Sequence, residues 1–563
     1  MAGNERAREP LHYAHWPAGL PKALPFPATS VFDNLRVSAT RYPDKPLAWF
    51  YDSPLPYGRA LREAERLAGY LQGHCGVARG ERVLLFMQNS PQFIVGFYAI
   101  LRADAMVVPV NPMNLTEELR HYVEDSEARV ALCGQELLAQ LAPLIGQGLE
   151  YMVVAAYSDY LDTQTDLHVP EVVAAAREPV THAGAVAWMD ALAAGLEPQP
   201  HRAGPEDLCV MPYTSGTTGR PKGCIHTHAT VMSTIVIMTH WGGAHQDATL
   251  LCTLPLFHVT GMQGSMNAPI YSGASVVLMT RWDRQAAAQL IERYRIDGWT
   301  NISTMAIDFL ANPDLRRYDL SSLRRIGGGG AAMPGPVSQR LKALTGLDYI
   351  EGYGLSETIA PTHINPDARP KKQCLGIPVC NTDARIVDAD TGEELGAHKI
   401  GEIVVNGPQI FKGYWKNLEA TRECFLELDG KAFFRTGDLG RYDEDGYFFI
   451  VDRLKRMINA SGYKVWPAEV EAIMYGHPEV QEACVVGVRD AHRGETVKAL
   501  VVLKADSRGK VSPEEIIGWC RSHMAAYKVP REVKFMEALP RSGVGKIQWR
   551  ALQEQEWAAA RSR

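Results

Sequence analysis

The sequence predicts an α/β protein in three parts: a large layered N-terminal region, a small β-rich subdomain, and a small α+β domain at its C-terminal end. Three observations predict it. Helical and strand-like apolar patterns alternate from residue 30 to about residue 203 and resume beyond residue 229. Between 371 and 414 the pattern changes to short alternating strands separated by turns. After a charged string at 452–465, helix and strand patterns alternate once more, which places a boundary between domains 1–453 and 454–563. The chain has 563 residues, 46% hydrophobic and 22% charged, enough apolar material for more than one core.

Taken in order, residues 1–27 carry Arg6, Arg8 and several prolines with no apolar stretch of signal-peptide type, and read as an extended lead-in. Residues 59–71 have helical spacing, 82–86 form a short buried strand, 92–102 an apolar helix and 105–110 the next strand, a strand–helix–strand crossover closed by Asn111 and Pro112. Residues 158–197 are weakly patterned and read as loops and short helices. Beyond the apolar run Leu208-Cys209-Val210-Met211 come a helix at 229–241, strands at 250–254 and 275–279, a helix at 284–293, and a strand at 298–301 entering a helix from Ser303. The stretch 252–280 lacks Asp, Glu, Lys and Arg but holds two prolines, several glycines and His258, so it reads as buried strands and loops and not as a bilayer span. Strands at 384–387 and 402–405 belong to the β-rich part. The C-terminal part holds a helix at 469–474, strands at 480–488 and 496–504, a helix at 513–524 and a strand at 532–535.

A formal net charge of -6 gives no overall basic field, so nothing in the charge favours nucleic acid as a partner. The ten cysteines are scattered without a CxxC pair or ligand-like Cys/His spacing, which suits reduced thiols in a cytoplasmic protein and no metal held by the protein alone.

Chemistry concentrates in a few strings. Thr214-Ser215-Gly216-Thr217-Thr218-Gly219-Arg220-Pro221-Lys222-Gly223 follows an apolar strand. Its glycines permit tight turns and close backbone approach to phosphate oxygens, its hydroxyls add donors, and Lys222 adds a mobile positive charge. It departs from the common nucleotide loop because Lys222 lies between Pro221 and Gly223. Gly327 to Gly330, followed by Ala331, offers backbone without side chains. Tyr353-Gly354-Leu355-Ser356-Glu357 combines an aromatic ring, a hydroxyl and a carboxylate, suited to a base, a phosphate oxygen and a hard cation respectively. Thr436-Gly437-Asp438 puts an acid at a tight turn, where it can accept from two vicinal hydroxyls.

In this order and spacing the strings resemble the adenylate-forming superfamily of acyl-CoA synthetases, luciferase-like enzymes and nonribosomal adenylation domains, from about residue 30 to residue 555. The wording is most similar to medium- to long-chain fatty acyl-CoA ligases. The resemblance implies an N-terminal domain of two α/β subdomains plus a small β-barrel-like subdomain, with a mobile α+β lid pivoting near Lys455. It implies ATP-dependent activation of a carboxylic acid to acyl-AMP with release of pyrophosphate, then transfer to CoA, with ATP, Mg²⁺ and CoA as cofactors and a tendency to form homodimers.

Residue by residue, the resemblance implies that Thr214, Ser215, Gly216, Thr217, Thr218, Gly219 and Lys222 hold the triphosphate and that Gly329, Gly330, Ala331, Tyr353 and Gly354 meet the adenine. Ser356, where many relatives have Thr, donates to a phosphate oxygen, and Glu357 with Thr217 holds the metal. Asp438 and Arg453 bind the ribose. Lys546 bridges carboxylate and α-phosphate, His258 borders the acyl pocket, and Gly462 enters the site for the thiol step. Aromatic, short or sulfur-containing acids, a carrier-protein acceptor, and a non-catalytic nucleotide sensor remain the alternatives.

Overall fold

In the computed structural model, residues 9–561 are described except 215–220, 331, 454–455, 461–462, 491–493 and 542–546; for 453, 459, 463–464, 490, 494 and 559–561 the description is of the backbone. The chain divides into two compact units, Met1–Asp383 with Asn406–Phe434, and Ala384–Val405 with Arg435–Arg563.

In chain order the strands of the first unit begin with β1 (Pro46–Phe50), β2 (Ser53–Pro56), β3 (Arg82–Phe86), β4 (Met106–Pro109), β5 (Val130–Gly134), β6 (Tyr151–Ala155), β7 (Ala185–Ala187) and β8 (Leu208–Val210). There follow β9 (Tyr213–Thr214), β10 (Lys222–Gly223), β11 (His226–Thr227), β12 (Thr249–Cys252), β13 (Ser275–Leu278), β14 (Gly298–Asn301), β15 (Arg325–Gly329), β16 (Tyr349–Leu355), β17 (Ala360–Ile364) and β18 (Ile377–Pro378).

Two sheets carry the fold. One runs β11-β8-β4-β3-β5-β6-β7 and is parallel from β8 to β7. The other runs β18-β17-β16-β15-β14-β12-β13-β1-β2, with a parallel middle from β16 to β1. Strands such as β3, β4 and β5 are almost continuously apolar because helices cover both faces of a parallel sheet. Each sheet is doubly wound: strand order reverses between β3 and β5 in one and between β12 and β14 in the other. Crevices for ligands open beyond the carboxyl ends of strands at such reversals.

Asn89, just past β3, joins those ends. Its amide donates to the Leu254 carbonyl at 2.9 Å and accepts from Leu256 N at 2.8 Å, while Thr280 Oγ1 donates to its backbone carbonyl at 2.9 Å. The helix Pro91–Arg102 starts beside it, with Ser90 capping Phe93 N at 3.1 Å and Pro91 in the first turn, where its missing N–H costs nothing. Every residue of that helix up to Leu101 is buried.

Several expectations change. The lead-in holds a short 3-10 helix, Leu11–His15, after which Trp16 packs edge-on against Trp241 at 5.3 Å. Residues 252–280 are largely helical beyond the strand ends: Val259–Met262, a π turn Gln263–Asn267, and Ala268–Ser272. The π turn places the Asn267 side chain to accept from the buried Tyr98 hydroxyl at 2.9 Å. The weakly patterned 158–197 segment supplies the edge strand β7.

The second unit contains β19 (Asp383–Val387), β20 (Gly401–Asn406) and most of the long strand β22 (Lys431–Tyr442), which follows β21 (Phe425–Leu428). Then come β23 (Phe448–Arg453), β24 (Ile458–Ala460), β25 (Tyr463–Val465), β26 (Val480–Asp490), β27 (Gly494–Leu503) and β28 (Glu532–Phe535). The sheet β25-β24-β27-β26, with β28 on β27, is covered on one face by the helices Pro467–Met474 and Pro513–His523. The helix Trp549–Arg561 places Leu552 on the other face, with Val486 and Leu500.

This unit extends on both sides of residue 453. Around that point the Asp452 carboxylate accepts from Ala468 N at 2.8 Å, and the half-buried Arg456 reaches Glu471 at 2.5 Å. These contacts bind the end of β23 to the helix that follows.

All ten cysteines are thiols, nine of them buried and Cys424 partly so. No helix among the described residues is long and apolar enough to cross a membrane.

Candidate active site

The phosphate-type string forms the ends of a hairpin. Thr214 on β9 pairs with Lys222 on β10, and Tyr213 with Gly223. Gly223 is crowded: a Cβ there would lie 2.7 Å from Met211 Sδ, which would have to move. The stem is pinned by the Tyr213 hydroxyl donating to Asp125 at 2.6 Å and by His121 Nε2 at 2.8 Å from the Pro221 carbonyl. Ser215, Gly216, Thr217, Thr218 and Gly219 lie outside the described residues, as do Ala331, Lys455, Gly462 and Lys546.

Ser356 and Glu357 occupy a single 3-10 turn, Ser356–Thr358, at the carboxyl end of β16, and the chain then reverses into antiparallel β17. The reversal is strained. Ile359 and Ala360 both have positive φ, 45° and 83°, a region that residues with side chains rarely adopt. Two contacts hold it: Leu355 N donates to Thr358 Oγ1 at 2.9 Å, and His226 Nε2 donates to the Ser356 carbonyl at 2.8 Å. Burial pushes the His226 pKa down to about 4, so the ring is neutral at pH 7 and can keep that proton on Nε2.

Glu357 is buried, with 7% of the residue exposed. Oε1 accepts from the Tyr414 hydroxyl at 2.9 Å. Burial, then the charge of Glu357, raises the Tyr414 pKa, so the phenol stays a donor. The ring of the same tyrosine lies under Lys222, with Nζ 5.1 Å from its centroid. Lys222 and Glu357, drawn from separate strings, are therefore joined by one side chain that sequence reasoning did not single out.

The glycine run has a different structural cause from the one expected. Gly327 to Gly329 are strand residues of β15, in register with Ile350, Glu351 and Gly352. A Cβ on Gly328 would lie 1.8 Å from the Asn301 carbonyl oxygen, and one on Gly329 2.4 Å from that of Gly352. The sheet itself needs them bare. Gly330, at φ 86°, is where the chain leaves the strand. In β16, Tyr353 lies 5.8 Å from the His363 ring, and Gly354 makes room for the Ala360 carbonyl, 2.6 Å from where its Cβ would be. His258 lies beyond β12 and caps the turn Val259–Met262, its Nδ1 accepting from Thr260 N at 3.4 Å. Gly330, Glu357 and His258 thus all lie at or just past the carboxyl ends of strands in the nine-stranded sheet, the first two beyond β15 and β16 and the third beyond β12.

Glu351 is a second residue the sequence did not flag. Its buried carboxyl accepts from Gln373 N at 2.9 Å and faces Met333 N at 3.5 Å, and burial raises its pKa to about 7.

In the second unit Asp438 and Arg453 are paired neighbours on β22 and β23. Asp438 is buried, at the positive-φ turn of Gly437, and its N–H donates to Thr436 Oγ1 at 3.1 Å. Glu402 fixes this turn: one oxygen takes Arg435 at 2.6 Å and the other accepts from Gly437 N at 3.0 Å. No signal in the sequence separates Glu402 from an ordinary strand carboxylate.

Residues 35–415 match the family described as AMP-binding enzyme, and residues 469–546 match the AMP-binding enzyme C-terminal domain. A long-chain-fatty-acid–CoA ligase of Bacillus subtilis (strain 168) is 34% identical over 96% of this chain and 97% of its own length. A feruloyl-CoA synthase of Amycolatopsis sp is 34% identical over 88% and 92%. Among solved structures, the anthranilate CoA ligase AuaEII in complex with anthranoyl-AMP superposes with a TM-score of 0.84 at 28% identity, covering 96% of this chain and 99% of that one. With its family matched across most of its length and relatives aligned end to end, the chain belongs to the AMP-binding enzymes, the adenylate-forming fold.

Proposed function

We propose that this enzyme is an AMP-forming acid:CoA ligase acting on medium- or long-chain fatty acids. The observation that carries the reading is that Lys222 and Glu357, from two separate strings, both contact Tyr414. Full-length relatives named as long-chain-fatty-acid–CoA ligases support the acid class.

A carboxylate attacking the α-phosphate of ATP meets anionic repulsion, and charge builds up on the leaving pyrophosphate. Lys222 and the hydroxyls of Thr214, Thr217 and Thr218 would neutralise that charge, Asp438 and Arg453 would fix the ribose, and Lys546 would lie between carboxylate and phosphate. Loss of one such contact costs about two to three orders of magnitude in rate. Glu357 fits a magnesium ion held mostly by substrate phosphates: it is a hard oxygen ligand, buried, and oriented by a neutral donor. Bound there, Mg²⁺ would supply Lewis-acid neutralisation of the polyphosphate. The acyl-adenylate then passes to CoA after rotation near Lys455 replaces Lys546 by Gly462.

Pyrophosphate release measured over a panel of acids, with and without CoA, tests this. Strong release with saturated C8–C18 acids and formation of the matching thioester are expected; preference for a cinnamic or benzoic acid would transfer the reading to the aromatic ligases. A Lys546→Ala variant should lose adenylation and still convert supplied acyl-AMP to acyl-CoA. Equal loss of both steps would end the proposed division of labour.

A further inference from the structure

We infer that Tyr414 is a positioning residue for the nucleotide's metal: its hydroxyl aims the Glu357 carboxylate, while its ring seats the Lys222 ammonium. The inference rests on the reading of Glu357 and Lys222 given above and adds the part that couples them.

The geometry leaves Tyr414 little freedom. Its backbone forms a bridge with Cys224, next to β10, and the flanking peptides close the same ladder: Lys412 N donates to Ile225 O at 2.8 Å, Ile225 N to Gly413 O at 3.0 Å, and Trp415 N to Gly223 O at 2.8 Å. Tyr414 N donates to Thr421 Oγ1 at 2.9 Å, and Gly413 takes φ 137° where a Cβ would strike the Thr421 side chain at 2.7 Å. Three residues upstream, Phe411 N donates to the Glu357 carbonyl at 2.9 Å, so the same segment grips the backbone of Glu357 as well as its side chain. The strand that begins at Lys222 and the turn that carries Glu357 are thus fastened to one short piece of chain, residues 411–415.

Each half of the tyrosine has its own consequence. The hydroxyl donates to Oε1, which fixes the plane of the carboxylate and directs Oε2 without adding charge. The π face holds the Lys222 ammonium by its quadrupole, which seats that charge on the same side chain that donates to Glu357.

Mn²⁺ binding followed by electron paramagnetic resonance, in the presence of a non-cleavable ATP analogue, separates these roles. Tyr414→Phe should weaken Mn²⁺ affinity about tenfold, leaving the affinity for the analogue alone, the thermal midpoint of the unliganded protein and the KM for the acid unchanged. Tyr414→Leu should lower the analogue's own affinity in addition. In the double variant Tyr414→Phe/Glu357→Gln the loss should not exceed that of Glu357→Gln. Wild-type Mn²⁺ affinity in Tyr414→Phe, or additive losses in the double variant, overturns the inference. If Glu357→Gln itself binds Mn²⁺ like the wild type, the assignment of Glu357 fails, and this inference fails with it.

Discussion

At the scale of single residues, steric demand and chemistry can carry the same signature in a sequence. Four successive glycines look like a place kept open for a ligand, yet Gly327, Gly328 and Gly329 are bare because the neighbouring strands stand too close for a methyl group. Gly328→Ala should therefore destabilise the protein by about 1–3 kcal/mol, the range for overpacking in a core, whether or not nucleotide is present. Urea denaturation with and without ATP checks it; a variant of wild-type stability with impaired nucleotide binding would return the glycine to the ligand. Glu402 is the opposite case, a carboxylate with no motif around it that holds the Asp438 turn. Glu402→Gln keeps the shape but loses the charge that Arg435 pairs with, and should raise the KM for ATP more than the KM for the acid. Equal KM values in variant and wild type would count against this.

At the scale of elements, the turn between β16 and β17 and its surroundings depend on neutral, buried histidines. Burial holds His226 and His228 at pKa values of about 4 and His363, chiefly by burial and then by His12, at about 3, against about 6.5 in an unfolded chain. The unfolded chain takes up these protons first, so the stability they contribute is complete above pH 6.5 and is lost as the pH falls from there towards 4. Glu351 acts in the other direction. Its folded pKa of about 7 exceeds the unfolded value, so stability declines as the pH rises from about 4.5 through 7. Three groups outweigh one, and the denaturation midpoint should climb between pH 4.5 and 6.5. Glu351→Gln should steepen that climb; a flat or falling wild-type profile would contradict the assignment.

For the whole molecule, what the sequence made legible was whatever depended on local pattern. The helix at 284–293 and the strands at 82–86, 298–301 and 532–535 coincide with the observed Arg284–Arg293, Arg82–Phe86, Gly298–Asn301 and Glu532–Phe535, because continuous apolar runs and amphipathic spacing are local properties. The string around Lys222 falls on the hairpin of β9 and β10, and the one around Glu357 at the carboxyl end of β16. Features created by long-range contact were not legible. Tyr414 is nearly sixty residues from Glu357, Asn89 acquires its role only where strands from two sheets meet, and Asp452 and Arg456 are tied to the helix that follows them. Arg456→Ala leaves the half-buried Glu471 without its partner and should destabilise the second unit by about 1–3 kcal/mol. Hydrogen exchange in β24 and β26 should register it while the first unit keeps its protection.

The sulfur atoms give this molecule a built-in clock. With nine thiols enclosed and burial pushing the pKa of Cys75, Cys252 and Cys484 up to about 12, a maleimide added under native conditions should react slowly, and only as fast as the surrounding structure opens. Because seven of the nine lie in the first unit and Cys484 and Cys520 in the second, peptide-resolved labelling with time would report how often each half breathes, and whether a bound nucleotide quiets one, the other or both.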